Sequence, residues 1–389
     1  MKLYSLYIAA IFVFIAVFGI RPLTSLYASS LDATMFQISL ITMCYSVGPL
    51  LIAIKIGRFI DQYGEKIPIL IGALGIGISA WLPVLFQSIG MLFVSQFLLG
   101  TSQILTIVAL QNGVASAVPS RNRDRAVGTF SLFTSTGMFI GPFVGGFTTD
   151  YFGYLMAFIV LACAPIVSFI ATLGIQTTKK KETKKAKDNN LGVTQLIGQV
   201  HLRKTIIAGM LVLSALDLFY VYFPLYAESI GFTASRIGIL LSVMAGANML
   251  ARIFIGKLIT LFGRVKTLWL FMLIGAVGYA CVTFTSSFAA LFLIVFIIGA
   301  GLGVTQPLTI ILTYNLAPVN QTGEVLGIRL AANRLSQTIL PFLFANLSTL
   351  IGLGSIFIFK ALLLGIGCLS AKGIQEKQAT IEKEVQDVK

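Results

Sequence analysis

Two related stretches decide the fold: GRFIDQYGEK at residues 57–66 and GKLITLFGR at residues 256–264. In each stretch two glycines lie seven residues apart, and the offset from residue 57 to residue 256 is 199 residues. The same offset relates four further Gly and Pro positions, which are Gly100 and Gly299, Gly128 and Gly327, Pro142 and Pro341, and Gly153 and Gly352. A constant offset along most of the chain predicts two halves of the same architecture.

The composition is that of a chain surrounded by lipid. Of 389 residues, 57% are hydrophobic and 11% are charged, whereas a soluble domain carries about 25% charged residues. A helix needs about 20 apolar residues to cross the hydrocarbon core, and twelve stretches meet this length. They are 5–29, 37–56, 67–87, 91–113, 127–149, 154–175, 205–227, 236–257, 267–286, 289–312, 326–349 and 354–372.

The formal net charge is +14, and the basic residues are concentrated in every second loop. Because basic loops stay on the cytoplasmic side, we expect a multi-pass protein of the cell membrane with both termini in the cytoplasm. The Lys-rich residues 177–204 predict a cytoplasmic linker between an N-terminal six-helix bundle (1–176) and a C-terminal one (205–372), and residues 373–389 predict a cytoplasmic tail. The basic loops have a role in topology and in contacts with anionic lipid, so we expect no nucleic-acid partner.

The sequence lacks the residue patterns that several kinds of chemistry require. The four cysteines have no metal-ligand spacing, and the chain has no phosphate-binding G-x-x-x-x-G-K-[ST] loop. No constellation of a nucleophile with a base is recognisable. We therefore expect no enzyme, no catalytic residue, no metal and no cofactor.

The stretch at residues 57–66 resembles the signature loop of the major facilitator superfamily in its G-x-x-x-D-x-x-G-x-K form, through the residues Gly57, Arg58, Asp61, Gly64 and Lys66. The second copy keeps the glycines and has Thr260 where the first has the aspartate. This resemblance implies an all-α membrane fold of twelve transmembrane helices in two pseudo-symmetric six-helix bundles, with alternating access to a central site. It also implies that the stretch, as the loop after the second span, forms a gate at the cytoplasmic face.

The fifth span contains small residues at helical spacing, namely Gly137, Gly141, Pro142, Gly145 and Gly146. Such residues let helices pack closely in lipid, and the proline kinks the helix. The stretch also resembles the antiporter motif of drug–proton efflux transporters in the superfamily. That resemblance implies a proton-coupled exporter of small organic molecules. We expect the protein to be a monomer. One departure is Gln96, where efflux members often have an arginine that is linked to proton coupling.

Ionisable residues inside a span are costly and indicate function. Arg21 lies in the first span and Asp217 near the middle of the seventh, and the resemblance places both helices at the central cavity. Two interpretations are open. Either the two residues pair across the halves, or Arg21 binds an anionic group of the substrate while Asp217 carries a proton or binds a substrate amine.

Further polar and aromatic side chains are candidates for substrate binding. In the second half they are Tyr220, Tyr222, Asn333, Arg334 and Gln337, and in the first half Gln103. The tyrosines could line the cavity or form an interfacial belt. Proton-coupled drug efflux is the first hypothesis for function. The second is a dedicated exporter of an anionic or zwitterionic metabolite, such as an amino-acid-derived metallophore, which Arg21 favours. No sequence feature supports a third reading, a membrane sensor that does not transport.

Overall fold

The computed structural model describes residues 2–119, 122–175, 193–318 and 321–374. Within these ranges only the backbone is described at residues 53, 54, 57, 58, 61, 124, 322, 323, 345 and 347–350. Most of the expected linker and nearly all of the expected tail lie outside the described residues.

The described chain folds into α-helices and contains no β-strand. The helices of the first half are α1 (Lys2–Ser30), α2 (Met35–Tyr63), α3 (Lys66–Leu85), α4 (Ile89–Ser116) and α5 (Arg123–Leu173). Those that follow are α6 (Val193–Gly198), α7 (Val200–Ser229), α8 (Ala234–Ile253), α9 (Ile255–Phe262), α10 (Arg264–Cys281), α11 (Phe288–Leu316), α12 (Thr322–Ile351) and α13 (Gly354–Lys372).

The helices account for all twelve predicted spans. Ten of them are long and apolar enough to cross a membrane, and one of these, α5, has 51 residues. A helix of that length measures about 76 Å, which exceeds twice the thickness of the hydrocarbon core, about 30 Å. Helix α5 turns at Gly153, whose φ of 82° favours glycine, and so supplies the predicted spans 127–149 and 154–175. Helix α12 contains the remaining predicted span, and the charged side chains of Arg329 and Arg334 lower its hydropathy.

The stretch at residues 57–66 is not the loop that the sequence predicts. Helix α2 continues through Tyr63, and the turn consists of Gly64 and Glu65. Gly64 has a φ of 74°, a conformation that costs an L-residue energy and glycine almost none. The apolar positions of 57–63 extend the helical pattern of α2, and this is why the helix outlasts the predicted span.

The bundle has two chemically different ends, because successive helices run in opposite directions. The turns rich in Lys and Arg meet at one end, which we call the basic end. There Lys66 Nζ donates to the carbonyl of Leu173 at 2.6 Å, and Lys204 Nζ donates to the carbonyl of Gly373 at 3.3 Å. The other end, called the opposite end, holds the turns at residues 31–34, 86–88, 230–233 and 352–353.

Among the described residues, three helix pairs make most of the contact between the two halves: α1 with α7, α2 with α12, and α5 with α8. The last pair brings two backbones into direct contact. A Cβ atom on Gly146 of α5 would lie 2.3 Å from the carbonyl oxygen of Ala234 of α8, and one on Gly238 would lie 2.4 Å from the carbonyl oxygen of Pro142. Only glycine permits this contact, which lies toward the opposite end.

Candidate substrate and proton site

The residues Arg21 and Asp217 meet where the two halves join. Arg21 is on α1 and Asp217 on α7, the first long helix of each half. Arg21 Nη1 donates to Asp217 Oδ1 at 2.7 Å, and the side chains are 4% and 19% exposed, respectively. Of the carboxylates whose side chains are described, Asp217 is the one near mid-helix, since the others lie at helix ends or in turns. The first interpretation of these residues, a pair across the halves, describes this conformation.

Helix α12 supplies two further polar groups to the same site. Gln337 Nε2 donates to Asp217 Oδ2, and Arg334 Nη1 donates to Gln337 Oε1 at 2.9 Å. The carboxylate therefore has a partner on each oxygen, one from the first half and one from the second. Such charge-assisted bonds are stronger than bonds between neutral groups.

Tyr45 of α2 completes the group on the side of the first half. The Arg21 guanidinium lies over the ring of Tyr45, 4.2 Å from its centroid, a distance at which the ring attracts a cation. The hydroxyl of Tyr45 donates to Gln103 Oε1 of α4, which connects that predicted residue to the site. We call Arg21, Tyr45, Asp217, Arg334 and Gln337 the central cluster.

The other predicted substrate-binding residues lie around the central cluster. Tyr220 is buried, with its ring 5.0 Å from that of Phe18. Asn333 is buried one turn from Gln337. Tyr222 lies outside the cluster, toward the opposite end, where its hydroxyl is 2.6 Å from Ser39 Oγ and donates to the carbonyl of Pro341 at 3.2 Å.

The five predicted antiporter-motif residues all lie on α5 and make two different contacts. Gly137, Gly141 and Gly145 face α1: a Cβ atom on Gly141 would lie 2.5 Å from the carbonyl oxygen of Ile15. Gly146 and the carbonyl of Pro142 face α8 instead. The motif therefore joins α5 to its own half along one face and to the other half along the next.

The predicted gate residues are described in part. The backbone of Gly57, Arg58 and Asp61 lies in the last two turns of α2, and the side chains at these positions fall outside the description. Gly64 forms the turn and Lys66 binds the end of α5, as given above.

Sequence reasoning missed Lys360 on α13. Its side chain is 0% exposed, and its Nζ donates to Ser214 Oγ of α7 at 2.6 Å. A signal was available, because Lys360 lies six residues into the 354–372 span. Six residues correspond to about 9 Å of helix, so Lys360 lies well inside the predicted span. Such a residue indicates function by default.

The site is closed in this conformation. One cavity beside Arg21 is lined by Thr24, Tyr45 and Gln96, and has a volume of about 10 Å³. A second of about 10 Å³ lies between Arg21, Ser214 and Gln337. Each has room for about one water molecule. An organic substrate therefore requires the halves to move apart.

Comparisons with known proteins agree with this architecture. The family model of the Major Facilitator Superfamily matches residues 6–341 and, in a second match, residues 205–386. Multidrug resistance protein 1 of Bacillus subtilis (strain 168) is 25% identical over 303 residues, which are 76% of this chain and 77% of that protein. The quinolone resistance protein NorA of Staphylococcus aureus is 22% identical over 311 residues, or 79% of each chain.

Two solved structures share the fold. A crystal structure of the nucleoside transporter NupG, in a mutant form, superposes with a TM-score of 0.80 at 11% identity, over 97% of this chain and 100% of that one. A POT family transporter in complex with 5-aminolevulinic acid gives a TM-score of 0.78 at 15% identity, over 94% of each chain. The chain thus belongs to the Major Facilitator Superfamily, and it is a multi-pass membrane transporter rather than an enzyme.

Proposed function

We propose that this transporter exports a small organic molecule in exchange for protons, by alternating access to the central cluster. The observation that carries the proposal is the ion pair of Arg21 and Asp217, which joins the two halves at mid-helix. The relatives of this transporter include proteins named for multidrug and quinolone resistance, which supports export.

The pair would stabilise the closed conformation of the empty transporter. While Asp217 is ionised and the site is empty, its attraction to Arg21 holds the halves together. A proton on Asp217 removes that attraction, and a substrate that takes either partner removes it as well. The halves then separate only when a proton or a substrate is bound. A transporter with this property exchanges one for the other and does not cross empty.

The orientation belongs to the same proposal. The basic end would face the cytoplasm of a cell-membrane protein, in agreement with the positive-inside rule. The moving bodies would be the bundles 1–176 and 205–372, joined by the linker 177–204. Contacts of α5 with α8 and of α2 with α12 would close the external side in the conformation described here.

The test uses inside-out membrane vesicles with an acidic lumen, and ethidium and norfloxacin as the transported probes. The wild type should accumulate at least one probe in a gradient-dependent manner. Asp217→Asn should lose this accumulation but keep counterflow of the probe without a gradient, because the neutral amide resembles the protonated acid. The variant Asp32→Asn, which changes an exposed carboxylate in the turn after α1, is the control. Gradient-driven accumulation by Asp217→Asn would refute the coupling role.

The second candidate function is export of an anionic or zwitterionic metabolite, such as an amino-acid-derived metallophore. It is favoured by the excess of cations around the site, where Arg21 bonds Asp217 while Arg334 and Lys360 bond the neutral groups of Gln337 and Ser214. A deletion strain should then accumulate one internal anion while its drug tolerance stays unchanged. Export of that anion should depend on Arg21, so an unaltered rate in Arg21→Ala would rule this candidate out.

A further inference from the structure

The ammonium of Lys360 is enclosed by protein yet has no carboxylate beside it. In the part of the chain that the structure describes, no carboxylate oxygen lies within 4.0 Å of Nζ. The hydrogen bond described for it goes to Ser214 Oγ, a neutral group, at 2.6 Å. An ammonium carries three donors, and a buried cation is costly unless it is paired. Binding a further acceptor would therefore stabilise the Lys360 ammonium, and the ammonium has donors left to do so.

Ser214 places that ammonium one turn from Asp217. Residues three apart on a helix are neighbours on one face, and Ser214 and Asp217 line the same small cavity with Arg21. Asp217 is also close enough for its charge to act on the Lys360 ammonium. In the present conformation Arg21 and Gln337 occupy the two oxygens of Asp217.

The two cations near Asp217 differ in the half to which they belong. Arg21 is in the first half, so it moves away from Asp217 when the halves separate. Lys360 and Asp217 are both in the second half, on helices α13 and α7, which pack together. Lys360 therefore stays near the carboxylate, and its flexible four-carbon stem lets Nζ turn from Ser214 toward Asp217.

We propose that Lys360 is a second cation for Asp217, which favours the ionised carboxylate and thereby lowers the pH at which the contact between the halves breaks. This rests on the proposed function, in which Asp217 carries the proton. Lys360 acts through Asp217 and is a positioning residue. The alternative is that Lys360 only packs α13 onto α7.

Other groups around Asp217 contribute to the same balance. The charged and titratable groups that face it are Arg21 of α1, Tyr45 of α2, Tyr220 of α7, Tyr279 of α10, Arg334 of α12 and Lys360 of α13. On α8, Arg252 lies beyond Tyr220 and bonds instead to Gln306 and Ser131, at 2.8 and 3.2 Å. Lys360 is distinguished by belonging to the same half as Asp217 while bonding only a hydroxyl.

The experiment measures opening at the opposite end without any substrate. Spin labels are attached at Ser88→Cys and Ser287→Cys, two exposed positions related by the repeat, after the native cysteines at 44, 163, 281 and 368 are replaced. Electron–electron distance measurements on the full-length protein in lipid nanodiscs give the open fraction between pH 5 and 9. The wild type should open as the pH falls, with a defined midpoint.

Lys360→Met should raise that midpoint by about one pH unit, because removing a nearby cation favours the protonated carboxyl. Ser214→Ala should lower it, since Lys360 is then released toward Asp217. Lys360→Arg should stay close to the wild type, and Lys372→Met at the end of the same helix should not differ from it. Adding Lys360→Met to Asp217→Asn should change nothing further.

The outcomes separate the two proposals. A midpoint for Lys360→Met that is unchanged or lower overturns the role of Lys360. If Lys360→Met does not fold, Ser214→Ala tests the role of Lys360 instead. A midpoint for Ser214→Ala that is unchanged or higher then overturns that role. Wild-type pH dependence in Asp217→Asn would instead refute the proposed function itself.

Discussion

The carboxylate of Asp150 bonds the first half to the second at the opposite end, and we expect its removal to favour opening there. Asp150 lies on α5, three residues before the turn at Gly153. Its Oδ1 accepts from the backbone N–H of Ala234 and its Oδ2 from that of Ser235, both at 2.9 Å.

These donors belong to the first turn of α8, where helix N–H groups have no partner within the helix. Thr233, the N-cap residue, makes no side-chain cap of its own. The first half thus caps a helix of the second.

The magnitude follows from capping energetics. Removal of an N-cap side chain costs about 1 kcal/mol, and here that cost applies only to the closed state. Asp150→Ala should therefore raise the ratio of open to closed molecules about fivefold. The spin-label pair at residues 88 and 287 measures this ratio. Asp32→Asn is the control, because it removes an exposed charge from the same end without touching α8.

The pH dependence distinguishes this contact from the Arg21–Asp217 pair. Partial burial alone raises the pKa of Asp150, but the hydrogen bonds from Ser235 and Ala234 outweigh it and leave the pKa below its ordinary value. A carboxyl with a lowered pKa contributes its full stabilisation above its ordinary pKa, about 3.9, and loses it as the pH falls through the lowered value. The effect of Asp150→Ala should thus be constant between pH 5 and 9. An unchanged ratio, or the same change in Asp32→Asn, would show that Asp150 does not hold the two halves together.

Two further predictions concern other contacts between the halves toward the opposite end. Gly146→Ala should increase the ratio of open to closed molecules at least fivefold in the spin-label assay, since overpacking costs about 1–3 kcal/mol. Gly128→Ala, with nothing within 4 Å of the new Cβ, should have no effect, and equal effects would contradict the close contact. Tyr222→Phe should also favour opening, because it leaves the buried Ser39 hydroxyl without that partner at a cost of about 1–3 kcal/mol. Adding Ser39→Ala should recover part of this loss, and strictly additive effects would show that the two hydroxyls do not interact.

The fold was predictable from the sequence to an unusual extent, and the reason is physical. In lipid every backbone group must be bonded internally, so long apolar stretches become helices whatever their neighbours are. The prediction was wrong at the end of α2, because the apolar pattern does not show where a helix ends. Residues 57–63 continue α2, and the helix ends only at Gly64, whose positive φ the apolar pattern does not reveal.

The site was predictable only as a set of residues. The chemistry of an intramembrane arginine and aspartate singles out Arg21 and Asp217. Their contact depends on how α1 and α7 are rotated about their axes, and the sequences of the two helices do not determine this rotation. Tyr45 was missed because a tyrosine in an apolar span is ordinary by composition. Lys360 was missed because one lysine in a 19-residue helix barely changes its mean hydropathy, although its distance from both ends was available.

The contact of α5 with α8 has a mechanical consequence. Where Gly146 meets Ala234 and Gly238 meets Pro142, backbone touches backbone, and no side chain has to change its rotamer when the angle between the helices changes. Interdigitated side chains would divide such a rotation into discrete steps, each with its own barrier. At these two points a surface formed by backbone allows the helices to roll through small angles, so the first movement of the halves needs no rearrangement of side chains there. The glycines would then contribute to the speed of the conformational change as well as to the tightness of the closed state.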